Sequence, residues 1–410
     1  MKLAIDFQGA QASNSERGIG RYCLSIVSEL CNHHSTELEI HLLINGVFVS
    51  EGIKLRKIFK TKLPANNIHT FFPSTKFNQE IMDEDEKSRS EIIREAVIER
   101  IKPDFVLITS LFEGLIDNAV IGEKHFHTNY LTAVILYDLI PMLHPETYLK
   151  SKIADAWYQK RIKQLLNFDC VLTISEYTRK TAIENLNLSE SKLVNISGAV
   201  EHSFFYQNDV EFDETSSLLK KRFGIKKNFI FTVSGIDPRK NLAFLIKSFA
   251  MSVNCLDCDY QLVITCNIQM ESAERFKKII EECGLSYQQV IFTGFVENND
   301  LMALYNACNL FVFPSWQEGF GLPVLEAMAC GAPVLIAKVA SLPEIGGDSV
   351  LYFDPFNEAS LTSKIITYLN NQNLLTKYSK LGRNRAKLFT WSNVVLKTIN
   401  ALKTKLKQPK

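Results

Sequence analysis

Two carboxylates stand eight residues apart, Glu318 and Glu326, in the stretch "SWQEGFGLPVLEAMACGAP". Two adjacent cations, Arg239 and Lys240, stand in "SGIDPRKN". The neighbours of Glu326 are Val324, Leu325, Ala327, Met328 and Ala329, so its helix reads as buried, with the acid in its first turn. A buried carboxylate without partners is costly, so Glu326 requires hydroxyl or N–H donors. A ribose diol would supply two; a structural cap or a buried ion pair is the alternative. Glu318, beside Gly319 and Gly321, would then lie closer to the reacting end of the same ligand. Two cations at a helix start oppose the helix dipole, which favours anions there. A diphosphate would use both, because arginine offers a planar fork and lysine a compact charge. A solvated loop is the plainer alternative.

Other residues invite the same question. Gly18-Ile-Gly20 opens a helix and would let an anion meet the free N–H groups of its first turn. A dinucleotide fingerprint would need a third glycine where Cys23 stands. Asp138 ends the strand-like "LTAVILYD" and would face a second domain. His144, alone in a Pro-bounded loop, reads as structural. Asp83-Glu-Asp85 and Asp257-Cys-Asp259 read as solvated faces, so no metal requirement is expected. Cys255 and Cys258 have zinc-like spacing, but Cys266 and Cys283 supply no second pair. Buried structural thiols are expected instead.

The elements that must position these residues alternate. "KLAIDF", "PDFVLITS", "LTAVILYDLI" and "FDCVLTIS" are short apolar runs with helical stretches between them. The pattern restarts with "NFIFTVSG", "YQLVITC", "QVIFTGF", "NLFVFPS", "APVLIA" and "VLYFD". This rhythm predicts parallel sheets covered by helices, with ligands beyond the carboxyl ends of the strands. Pro323 suits the first position of its helix and Gly331 the residue beyond its end. The polar stretch 206–226 separates a domain 1–205 from a domain 206–385. A last helix from about 373 to 406 brings residues 386–410 back onto the first domain.

The chain has 410 residues, 46% hydrophobic, which suits two domains. Lys and Arg number 46 against 45 Asp and Glu, a formal net charge of +1 that gives no reason to bind nucleic acid. Nine cysteines, an odd count, read as reduced thiols in a cytoplasmic protein. No long apolar run predicts a spanning helix, and the N-terminus shows no signal-peptide core. In "YLKSKIADAWYQKRIKQLL", Lys150, Lys152, Lys160, Arg161 and Lys163 lie among apolar residues. Such a helix would rest on anionic lipid or serve as a solvated face.

"SWQEGFGLPVLEAMACGAPV" resembles the Glu-x₇-Glu signature of retaining nucleotide-sugar glycosyltransferases of family four. "SGIDPRKN" is similar to that family's Arg-Lys loop. "FTGFVENNDLMALYNACNLFVFPS" and "SLPEIGGDSVLYFDP" resemble its flanking segments. "QGAQASNSERGIGRY", "SLFEG", "YDLIPMLHPETY" and "TISEYTRKT" look like a subgroup that builds bacterial surface polysaccharides, often with mannose. The resemblance implies an α/β chain of the GT-B architecture, two Rossmann-like domains facing across a cleft. It implies that Arg239 and Lys240 hold the diphosphate, Glu326 the ribose and Glu318 the donor sugar. Ser234, Gly235, Phe320, Gly321 and Leu322 would line the donor, Gly18 and Gly20 would approach its diphosphate, and the backbone of Val296 would meet the base. Arg21, Glu113, Tyr137 and His144 would meet the acceptor, a glycan or lipid-linked oligosaccharide. Many members have a histidine where this chain has Tyr137, which leaves the N-domain catalytic role to Asp138 or to no side chain.

The implied activity is retaining transfer of a hexose, mannose from GDP-mannose foremost, to a glycan hydroxyl. No cofactor is expected, since the nucleoside-diphosphate sugar is a co-substrate. Peripheral association with the inner face of the bacterial membrane goes with a lipid-linked acceptor. An inactive sugar-binding subunit is the alternative, but it could lose Glu318, Arg239 or Lys240, and all three are present. Another enzyme of similar architecture, a glycan phosphorylase or a nucleotide-sugar epimerase, is the further alternative; a phosphorylase would want a lysine for pyridoxal phosphate, and none is identifiable. The missing third glycine disfavours a dehydrogenase.

Overall fold

The computed structural model describes the chain except for residues 14, 16–17, 33–37, 74–83, 123–128, 206–220, 226–227, 269 and 409–410. Most of the 206–226 stretch, and Asp83 of the first Asp-x-Asp, lie outside the described residues. The chain divides into two compact units, Met1–Gly198 with Trp391–Lys410, and Ala199–Thr390.

The first unit holds a seven-stranded parallel sheet. Its strands are β1 (Lys2–Asp6), β2 (Glu39–Asn45), β3 (Ile68–Phe71), β4 (Phe105–Ile108), β5 (Leu131–Leu136), β6 (Cys170–Thr173) and β7 (Leu193–Asn195). Their order is β3-β2-β1-β4-β5-β6-β7. The second unit holds β8 (Phe229–Val233), β9 (Gln261–Thr265), β10 (Val290–Phe292), β11 (Leu310–Phe313), β12 (Val334–Ala337) and β13 (Leu351–Phe353), ordered β10-β9-β8-β11-β12-β13. All register pairs are parallel, as between Phe231 and Val263 or Phe311 and Val334. Both are Rossmann-like doubly wound sheets, whose order reverses between β1 and β4 in one and between β8 and β11 in the other. At such a reversal the loops part on the carboxyl side and leave a crevice.

The expected strands form because their apolar runs are buried on both faces: β4, β11 and β12 have no exposed residue. β2, β3 and β7 were not anticipated. β3 and β7 have only four and three residues, too few to show a period.

The last helix differs from expectation. The chain forms three helices after β13: Glu358–Leu369, Gln372–Ala386 and Trp391–Leu406. Asn357 and Asn371 cap the first two, accepting from the N–H groups of Ser360 and Leu374. Trp391–Leu406 packs against the helix Gly18–Asn32 of the first unit, where the Trp391 ring meets Tyr22 edge-on at 5.0 Å.

Cys255 and Cys258 are exposed, not buried, because the loop that carries them after the helix Leu242–Val253 faces solvent. Cys266 is buried and Cys283 half-buried. Among the described residues no group of three His, Cys, Asp or Glu side chains could hold a metal ion. None of the described helices is long and apolar enough to cross a membrane.

Candidate active site

The site begins at the reversal in the second sheet. After β8 the chain turns through a short 3-10 segment, Pro238–Lys240. The Asp237 side chain caps it by accepting from the Arg239 N–H at 3.0 Å. Asn241 then takes a left-handed conformation (φ 58°) before the helix Leu242–Val253. Its amide donates to the Pro355 carbonyl at 3.0 Å. After β11, the Trp316 N–H donates to the Arg239 carbonyl at 3.0 Å, which ties the two loops together.

These ties bring the two cations to one acid. Arg239 Nη1 donates to Glu318 Oε2 at 2.6 Å and to the Gln317 carbonyl at 3.0 Å. Lys240 Nζ donates to Glu318 Oε1 at 2.6 Å and lies 5.1 Å from the centre of the Phe313 ring. Each carboxylate oxygen therefore holds one cation, in a site that water barely reaches: the Glu318 side chain is 9% exposed. Burial by itself would raise the Glu318 carboxyl. The charges of Lys240 and Arg239 more than reverse this and bring it from an ordinary 4.5 to about 2. Burial pushes the Lys240 ammonium below its ordinary 10.5, and the Glu318 charge works against that push.

A carboxyl lowered by folding stabilises the folded state above its unfolded value and loses that contribution as pH falls through the folded value. The melting temperature of the protein is therefore expected to drop more steeply between pH 4.5 and about 2 than that of Glu318→Gln. Parallel slopes in a thermal melt series would mean that the triad adds no acid-dependent stability.

The glycine loop is fixed from below. Ser341 is buried, and its hydroxyl lies 3.0 Å from the Glu318 carbonyl and 2.7 Å from that of Phe320. Gly321 has φ 117°, and a Cβ there would lie 2.8 Å from Leu342 Cδ2 and 3.1 Å from Ile345 Cδ1. Only glycine fits this turn without strain. The helix Leu322–Ala329 follows, so Pro323 takes its second position and Glu326 its second turn, one step later than expected. The reason is that Gly321 itself is the N-cap and Leu322 already has helical geometry. Beyond the C-cap Cys330, Gly331 (φ 83°) and Ala332 donate to the carbonyls of Met328 and Ala327. This pair of bonds is a Schellman closure.

Glu326 is 3% exposed, and Tyr305 donates its hydroxyl to Oε2 at 3.1 Å. Sequence reasoning missed Tyr305. Its ring is locked edge-on against Phe231 and Phe311, each at 5.3 Å, within "LYNACNLFVF". Ser341, Asp237 and Gln317 were missed too, because a hydroxyl, a cap and a carbonyl carry no spacing signal. Val296 is buried after β10, behind Gly294 (φ 73°). Ser234 and Gly235 follow β8, half-buried, with the Ser234 N–H donating to the Thr265 carbonyl at 3.0 Å. Phe320 is buried and Leu322 half-buried.

The remaining residues lie in the first unit. Gly20 is buried, and a Cβ there would overlap the Ser15 backbone, so close chain packing already requires a glycine; Gly18 has open space. Asp138 is half-buried, and its Oδ1 accepts from the Ile140 N–H at 3.0 Å, which starts the short helix Ile140–Leu143. Tyr137 donates to the Thr109 carbonyl at 3.0 Å and meets Cys23 Sγ at 3.0 Å. Glu113 is buried with Ser110 donating to Oε1 at 2.9 Å. Arg21 is half-buried, and His144 Nδ1 lies 3.8 Å from Glu146 Oε1.

The basic helix is corrected. It runs from Lys152 to Leu166, and Arg161 points inward at 1% exposure, donating to Gln164 Oε1 at 2.8 Å and to the carbonyls of Ile121 and Glu113. Its charge belongs to the core. Lys150, Lys152 and Lys163 remain exposed.

A parallel sheet reversal bearing an Arg-Lys pair, a buried acid and a glycine turn into a helix defines a class. Residues 216–385 match the family model "Glycosyl transferases group 1". The second unit carries the match to that family, and the chain has the GT-B fold of two Rossmann-like domains. It is 30% identical over 396 residues to the serotype-specific mannosyltransferase WbdA of Escherichia coli, covering 96% of this chain and 47% of that one. It is 28% identical over 268 residues to the O-antigen chain mannosyltransferase B of Escherichia coli, covering 65% and 68%. The solved HepE of Anabaena, in complex with UDP and glucose, superposes with TM-score 0.70 at 17% identity over 98% of this chain and 100% of that one. The chain spans about half the length of the WbdA proteins it matches.

Proposed function

We propose that the chain is a retaining, metal-independent mannosyltransferase. It moves mannose from a nucleoside-diphosphate donor, GDP-mannose foremost, to a hydroxyl of a growing surface polysaccharide. The single observation that carries this reading is the convergence of Arg239, Lys240 and Glu318 at the β8–β11 reversal. The printed activities of the E. coli relatives support mannose and an O-antigen type of acceptor. The nucleotide bound by HepE supports a nucleoside diphosphate on this fold.

In the reaction, the bond between the anomeric carbon and the diphosphate breaks, and the electron pair leaves with the phosphate oxygen. Arg239 and Lys240 stabilise that growing charge. The acceptor oxygen bonds to the anomeric carbon on the same face and gives its proton to the departing phosphate oxygen. Glu318 orients the sugar and Glu326 takes the ribose diol, with Tyr305 holding one of its oxygens. The Ser234–Gly235 turn, the Phe320–Leu322 backbone and Val296 frame the donor. In the first unit Gly18 and Gly20 belong to the same donor reading, and Arg21, Glu113, Tyr137 and His144 to the acceptor. Asp138 orients the acceptor, and its bond to the Ile140 N–H fixes the carboxylate for that duty; a route in which Asp138 takes the acceptor proton would replace the phosphate oxygen as base. No resident cofactor enters, and the reading carries a cytoplasmic location with it.

Thermal shift with GDP-mannose, UDP-sugars and dTDP-sugars tests the donor, followed by incubation with the stabilising donor and detection of released nucleotide. GDP-mannose is expected to give the largest shift. Glu326→Ala is expected to weaken nucleotide binding by about tenfold, the worth of hydrogen bonds to a charged group. A Glu326→Ala protein with unaltered GDP affinity would remove the ribose assignment.

A further inference from the structure

The short helix Leu342–Gly346 lies directly under the glycine turn. Ser341, its N-cap, holds the Glu318 and Phe320 carbonyls, and its buried Leu342 and Ile345 fill the space where a Gly321 Cβ would stand. Five residues make barely more than one turn, too few to keep their own shape, and the carbonyls that end a helix lack intrahelical donors. Arg385 donates to two of them from outside: its Nη2 meets the Glu344 carbonyl at 2.7 Å, and its Nε meets that of Ile345. The guanidinium is itself seated, 5.8 Å from the centre of the Phe389 ring, which in turn meets Phe320 edge-on at 6.3 Å. A Cβ on Gly347 (φ 49°) would stand 2.6 Å from Arg385 Cζ, so that position must stay bare for the guanidinium to fit. Three residues before Arg385, a Cβ on Gly382 would stand 3.4 Å from Met328 Cγ. The helix Gln372–Ala386 therefore lies close against the helix Leu322–Ala329 that leaves the turn.

We propose that Arg385 is a positioning residue for sugar transfer, one that fixes the turn from Glu318 to Leu322; its part in the reaction rests on the donor reading above. It acts by two routes, through Ser341, Leu342 and Ile345 to the Glu318 carbonyl and Gly321, and through Phe389 to Phe320. A cation at a helix C-terminus is favoured by the helix dipole, and lysine would serve that purpose as well. Two neighbouring carbonyls and an aromatic face together call for the planar fork of arginine. A turn that shifts slightly still admits a nucleotide. It no longer aims Glu318 and the backbone at the sugar and the leaving oxygen, and a misplacement of about 1 Å can cost about a hundredfold in rate.

Two measurements on the full chain test this: amide hydrogen exchange across residues 316–324, and turnover of GDP-mannose per GDP-binding site counted by calorimetric titration, which leaves unfolded protein out of kcat. Arg385→Ala is expected to speed exchange across 316–324 severalfold, because the turn opens locally more often. It should lower kcat by about tenfold and leave KM and GDP affinity within about twofold. Arg385→Lys keeps the charge and should recover the melting temperature but not kcat; it also carries both readings if the alanine variant does not fold. Unchanged exchange in the variant overturns the proposal whether or not the chain turns over a donor. Faster exchange beside a wild-type kcat overturns it as well, and so does an Arg385→Lys protein with wild-type kcat. A wild-type chain that turns over no donor fails the donor reading instead, and the exchange measurement then decides alone whether Arg385 holds the turn.

Discussion

Glu318→Ala is expected to abolish sugar transfer, a loss of roughly a thousandfold or more, while nucleoside diphosphate affinity is kept. The carboxylate is the acid that both clamp cations face, at 2.6 Å each. If it orients the sugar, its loss removes an interaction made at the reacting carbon and leaves the nucleotide end untouched. Its removal also frees Arg239 and Lys240 of a competing anion, so the diphosphate loses no attraction. The variant carries a stability cost, because a mostly buried ammonium is left with one partner fewer. Calorimetric titration with GDP alongside a turnover assay separates the two effects. Retained transfer with weakened nucleotide binding would reverse the roles given to Glu318 and the cations.

Lys240→Ala is expected to lose about a hundredfold in kcat, equivalent to about 3 kcal/mol of barrier. The ammonium is held by Glu318 on one side and the Phe313 ring on the other, in a site where burial already disfavours its charge. That placement makes it a fixed charge, which costs no reorganisation when the leaving oxygen becomes anionic. Charge on that oxygen grows in the transition state, so the loss should fall on kcat more than on KM. A variant whose KM rises with kcat unchanged would assign Lys240 to ground-state binding alone.

The sequence made the sheets legible because parallel strands are buried on both faces and read as uninterrupted apolar runs. β3 and β7 escaped because three or four residues show no period. Arg239, Lys240, Glu318 and Glu326 were visible as charges in unlikely places: two cations at a helix start and two acids among glycines and aliphatics. That all the charge of the clamp converges on Glu318 was not visible, since the loops after β8 and β11 meet only through the reversal of strand order. Tyr305 and Ser341 were silent for a related reason. Their hydroxyls matter only once the fold aims them at Glu326 and at the carbonyls of Glu318 and Phe320. Arg161 misled because a basic residue at helical spacing looks the same whether it faces lipid or, as here, the carbonyls of Ile121 and Glu113.

The most direct test of the proposal that Arg239 and Lys240 act without a metal ion is the turnover of GDP-mannose by wild type and Lys240→Ala, each with and without EDTA. Wild-type kcat should be unchanged by the chelator, and the variant should be slower by about a hundredfold in both conditions. A wild-type enzyme silenced by EDTA, beside a fully active Lys240→Ala, would contradict the account, because a metal ion would then carry the charge assigned here to Arg239 and Lys240.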